Sequence, residues 1–174
     1  MRHAALQGAR PNCRFLQSCR QKRWEMPRIK ARSTACTGCR MCEMACSVGK
    51  TGRFSSRSSR IWIETDARVG KDLPHVCQQN IRACRGGDNP DPRCIDACPE
   101  AKAPDPPIYW DEETALVVLN PKVSCMACLA CVEACRFGAI RFDPSQESLV
   151  KCDLCGGEPE CVTLCVTEAI QLEG

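Results

Sequence analysis

The sequence predicts a small α+β fold in which short strands and short helical turns surround repeated groups of cysteines. Three observations indicate it. The chain of 174 residues contains 18 cysteines, about a tenth of its length, a level at which cysteine chemistry can dominate folding. Sixteen of these cysteines fall into four groups of four. Between the groups, short segments alternate apolar and polar residues, as half-buried strands do.

The N-terminal segment differs in charge from the rest of the chain. Residues 1–35 carry nine Lys or Arg and one acidic residue, whereas residues 36–174 carry fifteen and twenty. Basic tails often bind nucleic acid or anionic surfaces, but this one shows no periodic pattern. We interpret residues 1–33 as a poorly ordered, solvated extension and expect no nucleic-acid partner. Cys13 and Cys19 lie in it at a spacing unlike that of the four groups, so we expect them not to be ligands.

The four cysteine groups share a repeated pattern. The first and third groups have the identical spacing C-x2-C-x2-C-x3-C, and every group ends in C-x3-C. In chain order, the groups are Cys36, Cys39, Cys42 and Cys46; Cys77, Cys84, Cys94 and Cys98; Cys125, Cys128, Cys131 and Cys135; and Cys152, Cys155, Cys161 and Cys165.

This spacing favours iron–sulfur clusters over zinc or disulfides. Three closely spaced thiolates in a loop can surround one face of a four-iron cluster, and the fourth cysteine then binds a neighbouring cluster. A zinc ribbon uses paired C-x2-C units, so the third cysteine of each exact group would have no role there. Disulfide-rich domains are usually secreted, and the N-terminus shows no apolar signal segment. We therefore expect four [4Fe–4S] clusters in a cytoplasmic protein.

Strands are predicted between the groups and after them. The segments 59–67, 114–120, 139–143 and 169–173 have strand character, whereas 85–93 and 100–109 are rich in Pro, Gly or Asp and are predicted to be surface loops. This is the layout of a small ferredoxin unit present twice. The predicted core residues are Ile61, Ile63, Val117, Ile140, Phe142 and Ile170.

No pattern for organic catalysis is present. The chain has two histidines, lacks H-E-x-x-H and any phosphate-binding glycine loop, and has no apolar run long enough to span a membrane. His75 is expected to have a packing or hydrogen-bonding role. The chemistry that remains is one-electron transfer, for which the protein sets burial and hydrogen bonding around the clusters.

The cysteine motifs resemble those of a known family. The segments CTGCRMCEMACS, PHVCQQ, CIDACP, CMACLACVEACRFGAIRFDP and KCDLCGGEPECVTLC are similar to those of four-cluster electron-transfer subunits of anaerobic oxidoreductases, such as dimethyl sulfoxide reductase and formate dehydrogenase. The resemblance covers about residues 34–174, and the short linkers look most like the small subunits of tungsten-containing aldehyde oxidoreductases.

The resemblance implies how the thiols are shared. Groups one and four form an outer ferredoxin-like unit of residues 34–75 and 146–174, and groups two and three form an inserted unit of residues 76–145. The implied ligand sets are, first, Cys36, Cys39, Cys42 and Cys165; second, Cys46, Cys152, Cys155 and Cys161; third, Cys77, Cys84, Cys94 and Cys135; and fourth, Cys98, Cys125, Cys128 and Cys131.

Two departures from the family pattern concern individual residues. The second group usually begins with C-x2-C, but position 80 is Asn80 and the next cysteine is Cys84. Either Cys84 supplies the ligand from a lengthened loop, which we favour, or that cluster is altered. Proline often follows the last cysteine of a group, whereas Arg136 and Val166 stand there in groups three and four. Arg136 is expected to be an exposed helix residue, with an influence on a nearby cluster as the alternative.

The resemblance also implies a function and partners. The chain would relay electrons between a tungsten- or molybdenum-pterin catalytic subunit and a flavoprotein with FAD or NAD, or a ferredoxin, in a hetero-oligomer that can contain more than one copy of it. The alternatives are a freestanding polyferredoxin, the iron–sulfur subunit of a formate dehydrogenase or hydrogenase complex, and a zinc-ribbon module that uses the basic tail on nucleic acid.

Overall fold

The computed structural model describes residues 28–86 and 90–173. Most of the expected basic extension, with Cys13 and Cys19, lies outside these ranges. Of the predicted loop 85–93, residues 87–89 also lie outside them.

Eight short strands pair into four separate two-stranded antiparallel sheets in the described residues. In three of the sheets the partners are consecutive, whereas β1 pairs with β8 near the two ends of the described chain. The pairs are β1 (Arg28–Ala31) with β8 (Ile170–Glu173), β2 (Ile61–Asp66) with β3 (Lys71–Val76), β4 (Ile108–Asp111) with β5 (Leu116–Leu119), and β6 (Ile140–Asp143) with β7 (Ser148–Lys151).

Helices in the described residues are short and lie at the cysteine groups. They are α1 (Met41–Thr51), α2 (Ile81–Cys84), α3 (Arg93–Asp96), α4 (Ala130–Ala134) and α5 (Glu160–Thr163). Helix α1 ends at Gly52, whose φ of 68° gives the left-handed C-cap that favours glycine. Helix α1 packs on α5, and α3 packs on α4. Among the described helices, none is long and apolar enough to cross a membrane.

The α+β prediction is confirmed, as are all four predicted strands. They correspond to β2, β5, β6 and β8. The sequence did not predict β1, which lies before the expected boundary at residue 33, or β3, β4 and β7. Strand β3 contains Pro74 and charged residues, which weaken a strand signal, and β4 overlaps the end of the predicted loop 100–109.

The core consists of aliphatic side chains packed around cysteines. Five of the six predicted core residues are buried, and Phe142 is partly exposed. One core region contains Ile29, Ile61, Ile63, Val76 and Leu154 together with Cys42, Cys77, Cys152 and Cys161. A second contains Ile95, Ile108, Val117 and Ile140 together with Cys94 and Cys131. The candidate ligands are therefore part of the core itself.

Candidate iron–sulfur sites

The first set of thiols lies at the start of α1. Cys36, Cys39, Cys42 and Cys165 line one small cavity together with Ile63 and Ile170. Cys42 is buried on the first turn of α1, and Cys165 follows α5. Burial raises the pKa of Cys36 above its ordinary value, and the backbone amide of Gly38 opposes that increase.

The second set, Cys46, Cys152, Cys155 and Cys161, lines a larger cleft of about 320 Å³. Backbone amides point at sulfur here. The Arg60 amide donates to Cys46 Sγ at 3.3 Å, and the Leu154 amide lies 3.5 Å from Cys152 Sγ. Such donors offset the negative charge of a thiolate.

A polar group stands beside this cleft. The Asp153 carboxylate accepts from Lys50 Nζ at 3.0 Å, from Arg60 Nη1 at 2.5 Å and from the Cys155 amide at 3.2 Å. Burial alone would raise the pKa of Asp153, but Lys50 and Arg60 hold it below its usual range. Asp153 thus stays charged and joins α1 to the loop that carries Cys155.

The third set includes Cys84. Burial, followed by the neighbouring thiols Cys77 and Cys135, raises the pKa of Cys84 to about 11. Burial raises the pKa of Cys94 to about 12, and Cys77, Cys135 and Cys84 contribute to that increase. The Ala139 amide donates to Cys135 Sγ at 3.3 Å. Cys77, Cys94 and Cys135 therefore lie close enough to Cys84 to interact with it electrostatically.

Asn80 explains how the lengthened loop reaches this position. Its Oδ1 accepts from the Ala83 amide at 3.2 Å, so Asn80 is the N-cap of α2. Cys84 ends that single turn. The residue that stands where the second cysteine of an ordinary group would be is thus used to start a helical turn, and the turn carries the next cysteine back.

The fourth set lies between α3 and α4. Cys98, Cys125, Cys128 and Cys131 line one cavity with Ile108 and Leu149. Burial raises the pKa of Cys131 to about 11, and the other three thiols contribute to the increase. Burial also raises the pKa of Cys98, and the backbone amide of Glu100 opposes that increase.

Left-handed backbone residues recur at equivalent places in the cysteine loops. Gly38, Ala127 and Leu154 each precede the second cysteine of their group, and they have φ of 67°, 53° and 58°. The residues after that cysteine, Arg40, Leu129 and Gly156, also have positive φ. In the second group Gln79 has a φ of 51°, directly before Asn80. In the fourth group Cys155 itself also has a positive φ, of 52°, so the left-handed stretch is continuous there. Left-handed residues at such turns can direct successive amides toward one point, as in an anion-binding nest.

The donors fit the group that the sequence implies. Each set offers thiols, the soft ligands that iron–sulfur clusters use, and the second and third sets also have amides directed at sulfur. Within residues 28–86 and 90–173, no three His, Cys, Asp or Glu side chains are arranged to hold a single metal ion, so no mononuclear site of the zinc type is described. Since burial raises the pKa of most of these thiols, binding of iron must release protons.

Comparison with known proteins places this protein in a family. The model of the 4Fe-4S dicluster domain matches residues 76–174, more than half of the sequence. The protein belongs to the 4Fe-4S dicluster domain family. The expectation of [4Fe–4S] clusters is thereby confirmed, whereas the number of clusters and their ligands stay predictions.

Three relatives of this protein are subunits of named oxidoreductases. The polyferredoxin-like subunit of aliphatic sulfonate oxidoreductase from Pyrococcus furiosus is 38% identical over 130 residues, which cover 75% of this chain and 66% of the relative. The beta subunit of NADH-dependent phenylglyoxylate dehydrogenase from Aromatoleum evansii is 29% identical over 78% of this chain. The B subunit of polysulfide reductase from Wolinella succinogenes is 27% identical over 78% of this chain and 69% of its own length.

The relatives are longer than this protein. It spans just under two thirds of the sulfonate oxidoreductase subunit, and only 28% of the phenylglyoxylate dehydrogenase subunit. What the whole relatives do therefore carries over to this protein only as a proposal.

Expectations from the sequence also concern two residues that are not ligands, His75 and Arg136. His75 has the expected packing and hydrogen-bonding role, because Nδ1 lies 3.0 Å from the Phe137 oxygen, Nε2 lies 2.9 Å from Glu64 Oε2, and the ring stacks on Trp62. Arg136 is exposed, as expected, but it lies in a turn after α4 and not in a helix, because α4 ends at Ala134. Its guanidinium is close enough to oppose the increase in the pKa of Cys84.

Sequence reasoning missed two buried polar side chains, Gln79 and Lys151. Gln79 Nε2 donates to the carbonyl oxygens of Val117 and Cys152, and Gln79 Oε1 accepts from the Val117 amide. Lys151 Nζ donates to the same two carbonyl oxygens. Gln79 and Lys151 are both buried. That Lys151 directly precedes Cys152 was visible in the sequence, but its burial follows only from the packing of β7 beside β5.

Proposed function

We propose that this chain is the electron-transfer subunit of an oxidoreductase complex and that it carries four [4Fe–4S] clusters. The observation that supports the proposal is that three cavities are each lined by four of the sixteen described cysteines. The remaining four cysteines interact with one another electrostatically. Bound clusters would supply one-electron chemistry. The chain's own residues bind them through thiols, orient amides toward sulfur and exclude water with aliphatic side chains.

The proposed ligand sets are the four that the resemblance implies. For the third set, support comes from Cys77 and Cys135, which contribute to the raised pKa of both Cys84 and Cys94. For the other sets, it comes from the shared cavities. The nested arrangement of two ferredoxin-like units is supported by contacts within each unit. In the outer unit α1 packs on α5 and β1 pairs with β8, and in the inserted unit α3 packs on α4.

The sets adjoin one another in a way that suits a relay. Cys42 of the first set contributes to the pKa of Cys161 of the second. Cys77 of the third set contributes to the pKa of Cys152 of the second. The third and fourth sets share a core region that contains Cys94 and Cys131. We infer an order of first, second, third and fourth along the electron path.

Partner surfaces are proposed at the two ends of this order. In the first set Cys39 is exposed beside the exposed Met41, and in the fourth set Cys128 is exposed between Met126 and Leu129. Exposed apolar side chains around a partly exposed redox site favour docking of another protein. A protein docked there would come close to the terminal clusters and exchange electrons with them.

The partners themselves are proposed from the family resemblance and the relatives. We favour a tungsten- or molybdenum-pterin catalytic subunit at one end and an FAD/NAD-binding subunit or ferredoxin at the other. The names of the sulfonate oxidoreductase and polysulfide reductase relatives support an oxidoreductase complex, and the NADH-dependent relative supports a nicotinamide-linked partner. A freestanding polyferredoxin and a subunit of a formate dehydrogenase or hydrogenase complex are the alternatives.

A cytoplasmic location is proposed on chemical grounds. All sixteen described cysteines are free thiols, and cluster ligands need reduced thiols, which persist in reducing compartments.

Anaerobic purification of the affinity-tagged chain from its native source tests this function. We expect a catalytic subunit to copurify, and we expect its substrate to reduce the clusters of this chain within the turnover time of the complex. Isolation of the chain alone, with the same reduction by several unrelated enzymes, would support the freestanding polyferredoxin instead.

A further inference from the structure

Lys151 is a buried lysine in the interior of the protein. It ends β7, directly before Cys152, and is 3% exposed. Its Nζ donates to the carbonyl oxygens of Val117, at 2.5 Å, and Cys152, at 3.1 Å. These two bonds fix the ammonium group between β5 and the loop that carries Cys152.

No carboxylate pairs with this ammonium group among the residues that the structure describes. Carbonyl oxygens offer partial charge only, and an ammonium group buried without an opposite charge is costly. Whatever negative charge balances Lys151 should therefore come from another kind of group.

Lys151 lies where two neighbouring sets meet. Its Nζ donates to the same two carbonyl oxygens, those of Val117 and Cys152, as Gln79 Nε2 does. Cys152 belongs to the second set, and Gln79 lies two residues after Cys77 of the third. When these cysteines bind iron they are thiolates, so their negative charge would balance the lysine.

We propose that Lys151 is a fixed interior cation between the second and third sets of thiols, and that its charge raises the reduction potentials of the two clusters bound there. The inference rests on the proposed four clusters. Reduction adds one electron, and hence one negative charge, to a cluster held by four thiolates. A nearby buried cation stabilises the more negative form, because the surrounding low dielectric weakens the interaction little.

Redox titration of the full chain, loaded with its clusters and reduced with dithionite under anaerobic conditions, tests this role. In Lys151→Met and Lys151→Gln we expect two of the four electron paramagnetic resonance signals to require a lower potential. The expected change is at least tenfold in the reduction equilibrium, which is about 59 mV for one electron. The two affected signals should be those that Cys84→Ser and Cys155→Ser alter.

Two further variants separate charge from shape. Lys151→Arg keeps the charge and should leave all four potentials near those of the parent. Lys30→Met removes an exposed lysine that pairs with Glu173 and should change none of them. Unchanged potentials in Lys151→Met, or a shift confined to the first and fourth sets, would overturn the proposal.

Loss of clusters in the neutral variants would also be informative. If Lys151→Met and Lys151→Gln lose iron while Lys151→Arg retains it, the charge is required at this place, as the proposal expects. Loss of iron in Lys151→Arg as well would show that the shape of the lysine matters, and would overturn it. Fewer than four reducible clusters in the parent protein would instead contradict the proposed function.

Discussion

Arg136 Nη1 donates a hydrogen bond to the carbonyl oxygen of Ala83 at a distance of 3.0 Å. Arg136 directly follows Cys135, and Ala83 directly precedes Cys84. The bond therefore links the segment that carries Cys135 to the segment that carries Cys84. Arg136 occupies a position where the family often has proline. Its bond stabilises the turn α2, which brings Cys84 into the place of the cysteine that is missing at position 80.

Replacement of Arg136 should loosen the third set. In Arg136→Ala the Ala83 carbonyl loses its donor and the charge near Cys84 disappears, so the cluster at this set should lose iron several-fold faster in the presence of a chelator. The rate can be followed by the decay of visible absorbance. Arg53→Ala, which removes another exposed arginine, is the control; equal rates in the two variants would exclude this role for Arg136.

Cys84→Ser should damage one cluster and leave the other three. A serine oxygen is a harder and poorer ligand for iron, so the third set should become labile or hold only three irons. Electron paramagnetic resonance of the protein as isolated and after reduction distinguishes these outcomes. Four signals identical to those of the parent would mean that Cys84 is not a ligand.

The double variant Asn80→Cys/Cys84→Ser tests the lengthened loop from the other side. It restores the usual C-x2-C spacing from Cys77 while it removes the N-cap of α2. If the left-handed Gln79 already gives the loop its ordinary shape, the double variant should recover a four-iron cluster. Its iron content should then exceed that of Cys84→Ser by about one iron per chain.

Gly138 is required for a close approach to His75. A Cβ at Gly138 would lie 2.7 Å from His75 Nδ1, and the φ of +56° is itself unfavourable for alanine. The ring cannot move freely, because Phe137, Glu64 and Trp62 hold it. Gly138→Ala should therefore lower the free energy of unfolding by about 1–3 kcal/mol more than a Gly→Ala substitution at a positive φ where the new methyl group meets no neighbour.

Gly70→Ala is the matched control for that comparison. Gly70 has a similar φ of +61°, but a Cβ there would meet nothing within 4 Å. Thermal unfolding of both variants at one scan rate measures the difference. Equal melting temperatures would show that His75 yields to the new methyl group.

Cys13 and Cys19 should be dispensable. Their spacing matches none of the four groups, and the sixteen other cysteines already complete the proposed sets. The variant Cys13→Ser/Cys19→Ser should retain the iron and sulfide content of the parent, measured chemically. A loss of about four irons would place one of these cysteines in a cluster.

The sequence predicted the cysteine chemistry well because ligand spacing is a local property. Strand β2 was also predictable, since Ile61 and Ile63 alternate with less buried residues. Strand β1 was not, because it lies within the segment interpreted as a solvated extension and is defined by its pairing with β8. The roles of Arg136 and Lys151 depend on contacts between segments that are distant in the sequence, and the local sequence pattern does not predict such contacts. The role of Asn80 depends on the position to which its helical turn carries Cys84.

Iron and acid-labile sulfide per chain, measured on protein purified without oxygen, test the central claim most directly. With sixteen cysteines in four complete sets, the account predicts about sixteen iron atoms and about sixteen sulfides per chain, and little zinc. About eight of each would mean that only two sets bind clusters. A preparation dominated by zinc would contradict the account altogether.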